Sequence, residues 1–201
     1  MIPTYKLLNI LDMLDIYGEV SCKEILSSFI CPLNLDVEDF IHNKAIDFAK
    51  QRIAITFLVF RETPKGNVLV GYYTLANKFV AVSANLLSKT LKKRISKFSQ
   101  FDTILDRYLI SMPLIAQLGK NFSDTAKEFP IEGETLLGLA CQNIREVQRI
   151  IGGKTTYIEC ASNPVLFDFY SKHGFVQFGQ REKEKEELAD NPVLVQMLKY
   201  F

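Results

Sequence analysis

The sequence predicts one mixed α/β domain spanning residues 1–201. Three observations carry that reading. The apolar residues switch several times between helical and extended period. A strand–helix–strand unit covers Leu109 to Ala161, and such units build α/β domains. No internal repeat or low-complexity linker divides the chain, and its length suffices for one sizeable core.

The first thirty residues read as helical. Leu7, Leu8, Leu11 and Leu14 recur at helical spacing, and Gly18 ends the run. Ser21 and Glu24 form an S-x-x-E capping pattern for a second short helix. Pro32 breaks the chain. Asp36 is placed to cap a third helix, with Ile41, Ala45 and Phe48 as its buried stripe. Residues 1–35 are thus expected as a helical extension on the domain.

The period then becomes extended. Ile53 to Phe60 is rich in β-branched and aromatic residues and reads as a strand. Pro64 to Asn67 is a turn signal. A second strand runs from Asn67 to Ala76 and stays extended toward Ser83, which makes an antiparallel hairpin. Ser83 to Phe98 returns to helical period, with Leu87, Leu91, Ile95 and Phe98 as its stripe and Lys89, Lys92, Lys93, Arg94 and Lys97 on its other faces. A basic helix suits nucleic acid or membrane. With no aromatic residue between its cations for base stacking, a solvated cationic face is the favoured reading.

Leu109 to Gly119 reads as a strand despite Pro113, which points to a bulge or an edge. A polar stretch leads to Gly133, which opens a long helix with the stripe Leu137, Ala140, Ile144, Val147 and Ile151. Gly152 and Gly153 stop it. Thr155 to Ala161 is a strand. Asn163 to His173 is a helix with Asn163 as cap, Pro164 in its first turn and Gly174 at its end. Val176 to Gly179 and Leu194 to Phe201 are closing strands, with a charged surface loop from Arg181 to Asp190 between them.

Composition narrows the function classes. Basic residues number 24 and acidic residues 23, so net charge gives no general pull toward nucleic acid or an anionic membrane. Cys22, Cys31, Cys141 and Cys160 form no C-x-x-C pair and lie far in sequence from His42 and His173. Buried reduced thiols and no metal are therefore expected. The chain shows no basic, apolar leader and no run near the roughly 18 apolar residues of a spanning helix. A cytoplasmic protein is expected.

Three segments share one pattern: Leu114 to Gly119 (LIAQLG), Glu132 to Gly138 (EGETLLG) and Asn163 to Phe175 (NPVLFDFYSKHGF). Together they resemble the GNAT superfamily of N-acetyltransferases over roughly Asp36 to Phe201, with some similarity to toxin-type acetyltransferases. The resemblance implies a mostly antiparallel mixed sheet with one splayed parallel strand pair, flanked by helices. It also implies acetyl-CoA as co-substrate, a primary amine as acceptor and no metal.

The Asn163 to Phe175 segment matches most specifically, through Phe-Tyr-x-Lys-x-Gly-Phe. The resemblance implies that Tyr170 protonates the departing CoA thiolate and that Asn163 orients the pantetheine arm. A phenol is a weak acid able to donate to a thiolate. By position, the backbone of Leu118, Gly119 and Lys120 would pair with the pantetheine amides as a substitute strand and offer a donor to the thioester oxygen. The helix start at Gly133, Glu134, Thr135, Leu137 and Gly138 would hold the pyrophosphate on bare amides. It departs from the family pattern there, keeping one glycine of the Gln/Arg-x-x-Gly-x-Gly/Ala motif and placing Glu134 where a cation is common. Glu159 is the candidate general base, with strand alternation leaving its direction open.

Neither a G-x-G-x-x-G fingerprint after a strand nor a G-x-S-x-G elbow is present. Two readings follow: an active N-acetyltransferase, or a non-catalytic CoA-binding or protein-interaction module with an eroded phosphate loop. A tRNA acceptor stays open without being favoured. No membrane partner is expected, and the chain is read as a monomer or homodimer.

Overall fold

The computed structural model describes residues 4–64, 66–182 and 193–201. The first element among the described residues is a strand, β1 (Tyr5–Asn9), not the expected helix. Leu7, Leu8, Leu11 and Leu14 straddle the junction. The Asn9 side chain makes the break by accepting from the Leu11 amide at 2.9 Å, which caps α1 (Ile10–Ser27). Gly18 does interrupt the helix, at φ 77° and ψ 166°, a conformation cheap only for glycine. Ser21 already lies inside α1, so the S-x-x-E pattern does not start a helix. Beside it, Glu19 pairs with Lys23 at 2.6 Å and Lys50 at 2.5 Å.

Asn34, not Asp36, caps α2 (Leu35–Asp39), accepting from the amides of Asp36 and Val37. A π-helical turn (Phe40–Lys44) leads into α3 (Ala45–Lys50). Ile41 and Ala45 are buried as the stripe requires, and Phe48 is partly buried against the same core.

β2 (Ile55–Thr63) and β3 (Gly66–Ser83) form the expected antiparallel hairpin, and β1 pairs with β2. Lys65, within the expected turn, lies outside the described residues. The helix expected over Ser83 to Phe98 is shorter: a 3-10 turn (Ala84–Leu86), then α4 (Lys89–Ile95). The Ser88 hydroxyl accepts from the Leu91 amide and fixes the later start. The short strand β4 (Gln100–Asp102) pairs with β5 (Arg107–Lys120), and α5 (Asp124–Lys127) follows. Neither β4 nor α5 is legible in the sequence pattern.

In α6 (Gly133–Ile151) the stripe drifts. Leu137, Ala140 and Ile144 are buried, but Val147 is 39% and Ile151 72% exposed. Gln148 is buried instead, its amide donating to the Thr155 carbonyl at 2.7 Å. Gly152 and Gly153, at φ 84° and 95°, end the helix. Then come β6 (Thr155–Ala161), α7 (Pro164–Lys172), β7 (Val176–Glu182) and β8 (Val193–Tyr200). Residues 183–190 of the expected charged loop lie outside the described residues, and Arg181 and Glu182 at its start belong to β7.

Among the described residues the strand order is β1-β2-β3-β5-β6-β8-β7, with β4 on β5. The β5–β6 pair is parallel, and its ladder consists of Leu114 with Tyr157 and Ile115 with Ile158. The pairs β1–β2, β2–β3, β4–β5, β6–β8 and β7–β8 are antiparallel. By its contacts the chain falls into two compact units, Met1–Ala76 with Ala116–Cys141 and Asn77–Ile115 with Gln142–Phe201. In the first, Ile10, Leu26, Phe29, Ile41, Leu58 and Tyr72 are fully buried. In the second, Ile95, Ile110, Phe175, Phe178 and Met197 are.

Candidate functional site

In the second unit the candidate residues sit on β6 and α7. Asn163 caps α7, its side-chain oxygen accepting from the Val165 amide at 2.8 Å. Gly174, at φ 83°, ends the turn after it. Two turns on from the exposed cap, Tyr170 is buried, with its ring 5.7 Å from Phe175 and 5.1 Å from Phe169. Burial, and then the neighbouring Cys160, push its hydroxyl well above the ordinary phenol range. The same surroundings push the Cys160 thiol up to about 11.

Strand alternation settles the direction of Glu159. Thr156, opposite Lys199 in the β6–β8 register, lies on the face that α7 covers: the Lys199 ammonium donates to the His173 carbonyl at 2.7 Å. Cys160 shares that face by period two, and Glu159 takes the other. There Arg181 Nε donates to Glu159 Oε2 at 2.7 Å and Gln196 Nε2 to Oε1 at 2.8 Å. Both carboxylate oxygens are engaged, and the side chain is 13% exposed.

In the first unit the candidates are the end of β5 and the start of α6. Gly119 is buried, with Leu118 and Lys120 partly so. A Cβ at Gly119 would overlap Val37 Cγ1 and lie 3.1 Å from Phe29 Cζ and 3.3 Å from Tyr72 Cε1. The glycine is therefore a packing requirement, independent of any ligand. The Lys120 ammonium lies 5.6 Å from the Phe122 ring centre.

One residue that the sequence reading passed over holds this region together. Asn121 is buried and bonds on every side. Its Oδ1 accepts from the amides of Ile30 (3.0 Å) and Ser123 (2.9 Å), and its Nδ2 donates to the carbonyls of Leu69 (2.8 Å) and Ser28 (3.4 Å). The amide thus ties the loop after α1 to β3 and to the end of β5. Partners up to 93 positions away leave no local signal.

At the α6 start Gly133 and Thr135 are partly exposed and Glu134 is exposed. Leu137 is buried at 2%, so its side chain contributes to the core. Gly138 is exposed, and a Cβ there would meet nothing within 4 Å. A helix-interior glycine costs about 1 kcal/mol relative to alanine, and packing does not explain this one. An open glycine beside the bare amides of a long helix start leaves room for a phosphate group to approach the backbone. Among the described residues no group of three or more His, Cys, Asp or Glu is placed to hold a metal. No described helix is long and apolar enough to cross a membrane. The four cysteines are buried and unpaired by disulfide.

No family profile and no curated protein matches the sequence. Solved structures do. AtaT complexed with acetyl-methionyl-tRNAfMet is similar at TM-score 0.62 and 19% identity, over 96% of this chain and 94% of that one. A tyrosine-to-phenylalanine mutant of KacT is similar at TM-score 0.59 and 18% identity, over 96% and 94%. A structure described as a bacterial toxin reaches TM-score 0.63 at 16% identity, over 99% and 92%. This is the GNAT fold. Identity at this level carries architecture alone. The match to the GNAT structures takes in nearly the whole chain, so it begins well before Asp36, where the sequence resemblance starts.

Proposed function

We propose that the chain is an acetyl-CoA-dependent N-acetyltransferase, with Tyr170 as the proton donor to the departing sulfur. The observation that carries the reading is the two-pair β5–β6 ladder followed directly by an Asn-capped helix with a buried tyrosine, within the GNAT fold. Support also comes from relatives by structure: one AtaT structure holds acetyl-CoA in a tyrosine-to-phenylalanine mutant, at TM-score 0.54 and 16% identity.

The residues present fit acetyl-CoA. The amides at Gly133 to Thr135 and the open face of Gly138 would take the diphosphate. Backbone of Leu118, Gly119 and Lys120 past the short ladder would take the pantetheine arm. Acetyl-CoA supplies an activated acetyl thioester. Tyr170 keeps its proton throughout the neutral range because burial disfavours phenolate. Burial pushes the neighbouring Cys160 thiol up to about 11, so a thiolate formed in the same surroundings would be disfavoured as well. A leaving sulfur therefore needs a proton, and Tyr170 holds one. As the amine nitrogen bonds the acetyl carbon, the carbon–sulfur bond breaks and sulfur takes the Tyr170 proton. The proton lost by the amine passes through water to the phenolate left on Tyr170, which restores the phenol that burial favours. Glu159, clamped on the other face of β6, is assigned a structural role.

The AtaT complex makes the amino group of an aminoacyl-tRNA the acceptor to test first. The second reading, a non-catalytic CoA-binding or protein-interaction module, draws on Glu134 and the missing glycines at the α6 start. Calorimetry with acetyl-CoA and transfer of labelled acetyl to an amine panel separate the two. Tyr170→Phe is expected to bind acetyl-CoA normally and lose about 100-fold or more in kcat, the scale of a lost general acid. Full turnover in that variant removes Tyr170 from the role.

A further inference from the structure

The neutral total charge conceals a division between the two units. Residues 1–76 with 116–141 carry 9 basic and 13 acidic side chains, net −4, whereas residues 77–115 with 142–201 carry 15 basic and 10 acidic, net +5. The excess is local. Residues 77–97 hold six basic side chains and no acidic one.

Five of those six lie on or beside α4. Leu87 and Ile95 are buried and anchor the segment, which leaves Lys89, Lys93, Arg94 and Lys97 exposed and Lys92 partly so. None of the five forms an ion pair among the described residues. The aromatic partners absent from the local sequence are supplied by the fold. Arg94 lies 4.9 Å over the Tyr200 ring, and Phe98 lies 6.4 Å from the same ring. At the end of β8, Arg145 lies 4.6 Å over Phe201. Stacking holds a guanidinium by its flat face and leaves its N–H fork directed outward, with less freedom to lose on meeting a phosphate.

We infer that this face docks the phosphodiester backbone of an RNA, through Lys89, Lys92, Lys93, Arg94, Lys97 and Arg145. The choice of RNA rests on the acetyltransferase reading with a tRNA-borne amine. An anionic membrane fits less well. Interfacial helices insert a free apolar face, but Ile95 is fully buried and α4 has only seven residues.

The test is fluorescence anisotropy of a labelled tRNA transcript with the full chain, in 50 and 200 mM KCl. With about six phosphates neutralised, Kd rises about 1,000-fold over that range, and in K92Q/K93Q/R94Q, with about three left, it rises about 30-fold from a weaker starting value. K23Q/K50Q, in the acidic unit, leaves the salt response intact. Acetyl-CoA calorimetry on the same samples separates the two claims. If acetyl-CoA binds while tRNA does not, or while the triple variant binds tRNA as the parent does, the docking face is refuted and the enzyme reading stands. If tRNA behaves as expected and acetyl-CoA does not bind, the enzyme reading fails and the face stands. Equal affinity for duplex DNA of matched length overturns the assignment to RNA. Binding to phosphatidylserine–phosphatidylcholine vesicles that the triple variant loses overturns it as well.

Discussion

Replacing Gly119 with alanine tests the packing around the end of β5 most directly. The added methyl has nowhere to go: Val37 Cγ1 already occupies its place, and Phe29 and Tyr72 close the sides at 3.1 and 3.3 Å. Val37 is itself fixed, since its carbonyl accepts from the buried Tyr72 hydroxyl. Overpacking of this kind costs about 1–3 kcal/mol, and direct overlap with a fixed residue puts Gly119→Ala near about 3. For a chain of this length that lowers Tm by about 6–12 °C. Val37→Ala alone removes two buried methyl groups and costs about 2 kcal/mol. In the double variant the new Cβ enters the space left by the valine, so the pair should cost about the same as Val37→Ala alone instead of the additive 5 or so. Thermal and urea melts followed by circular dichroism measure the cycle. An additive double variant, or a Gly119→Ala protein as stable as the parent, would refute the geometry.

Gly138→Ala should act in the opposite sense. With nothing within 4 Å of the new Cβ, the protein gains about 0.5–1 kcal/mol in a urea melt, and acetyl-CoA affinity measured by calorimetry falls. Stabilisation with unchanged affinity removes Gly138 from the binding helix. The Glu19 carboxyl is held down to about 2 by hydrogen bonds from Lys23 and then Lys50. Its contribution is therefore complete above the usual carboxylate range and is lost as pH falls toward 2. Carboxyl NMR titration should show that midpoint, and high salt should raise it because the group is exposed.

What was legible in the sequence was local. Asn163, Pro164 and Gly174 mark both ends of α7 with side chains that act within a few residues, and the α7 bounds follow closely. Thr155 to Ala161 was legible because β-branched and aromatic residues cluster at Thr155, Thr156, Tyr157 and Ile158, between the Gly152–Gly153 stop and the Asn163 cap. The failures come from longer range. Leu7 and Leu8 share a period with Leu11 and Leu14, but pairing with β2 draws the first two into a strand. Val147 and Ile151 fit the α6 stripe by spacing, yet the Thr155 carbonyl needs a donor and Gln148 takes the inward place. The direction of Glu159 depends on a register parity that no single segment states. The charge division emerges only once folding sorts distant segments into units.

Asn121 carries a further consequence. Its two side-chain heteroatoms are used in opposite senses, oxygen toward two amides and nitrogen toward two carbonyls. Aspartate has the same shape but no donor, and it would turn a negative charge on the carbonyls of Leu69 and Ser28. Spontaneous deamidation, the ordinary chemical ageing of asparagine, would make that replacement in place. The latch between the α1 loop and β5 is then as durable as one amide bond.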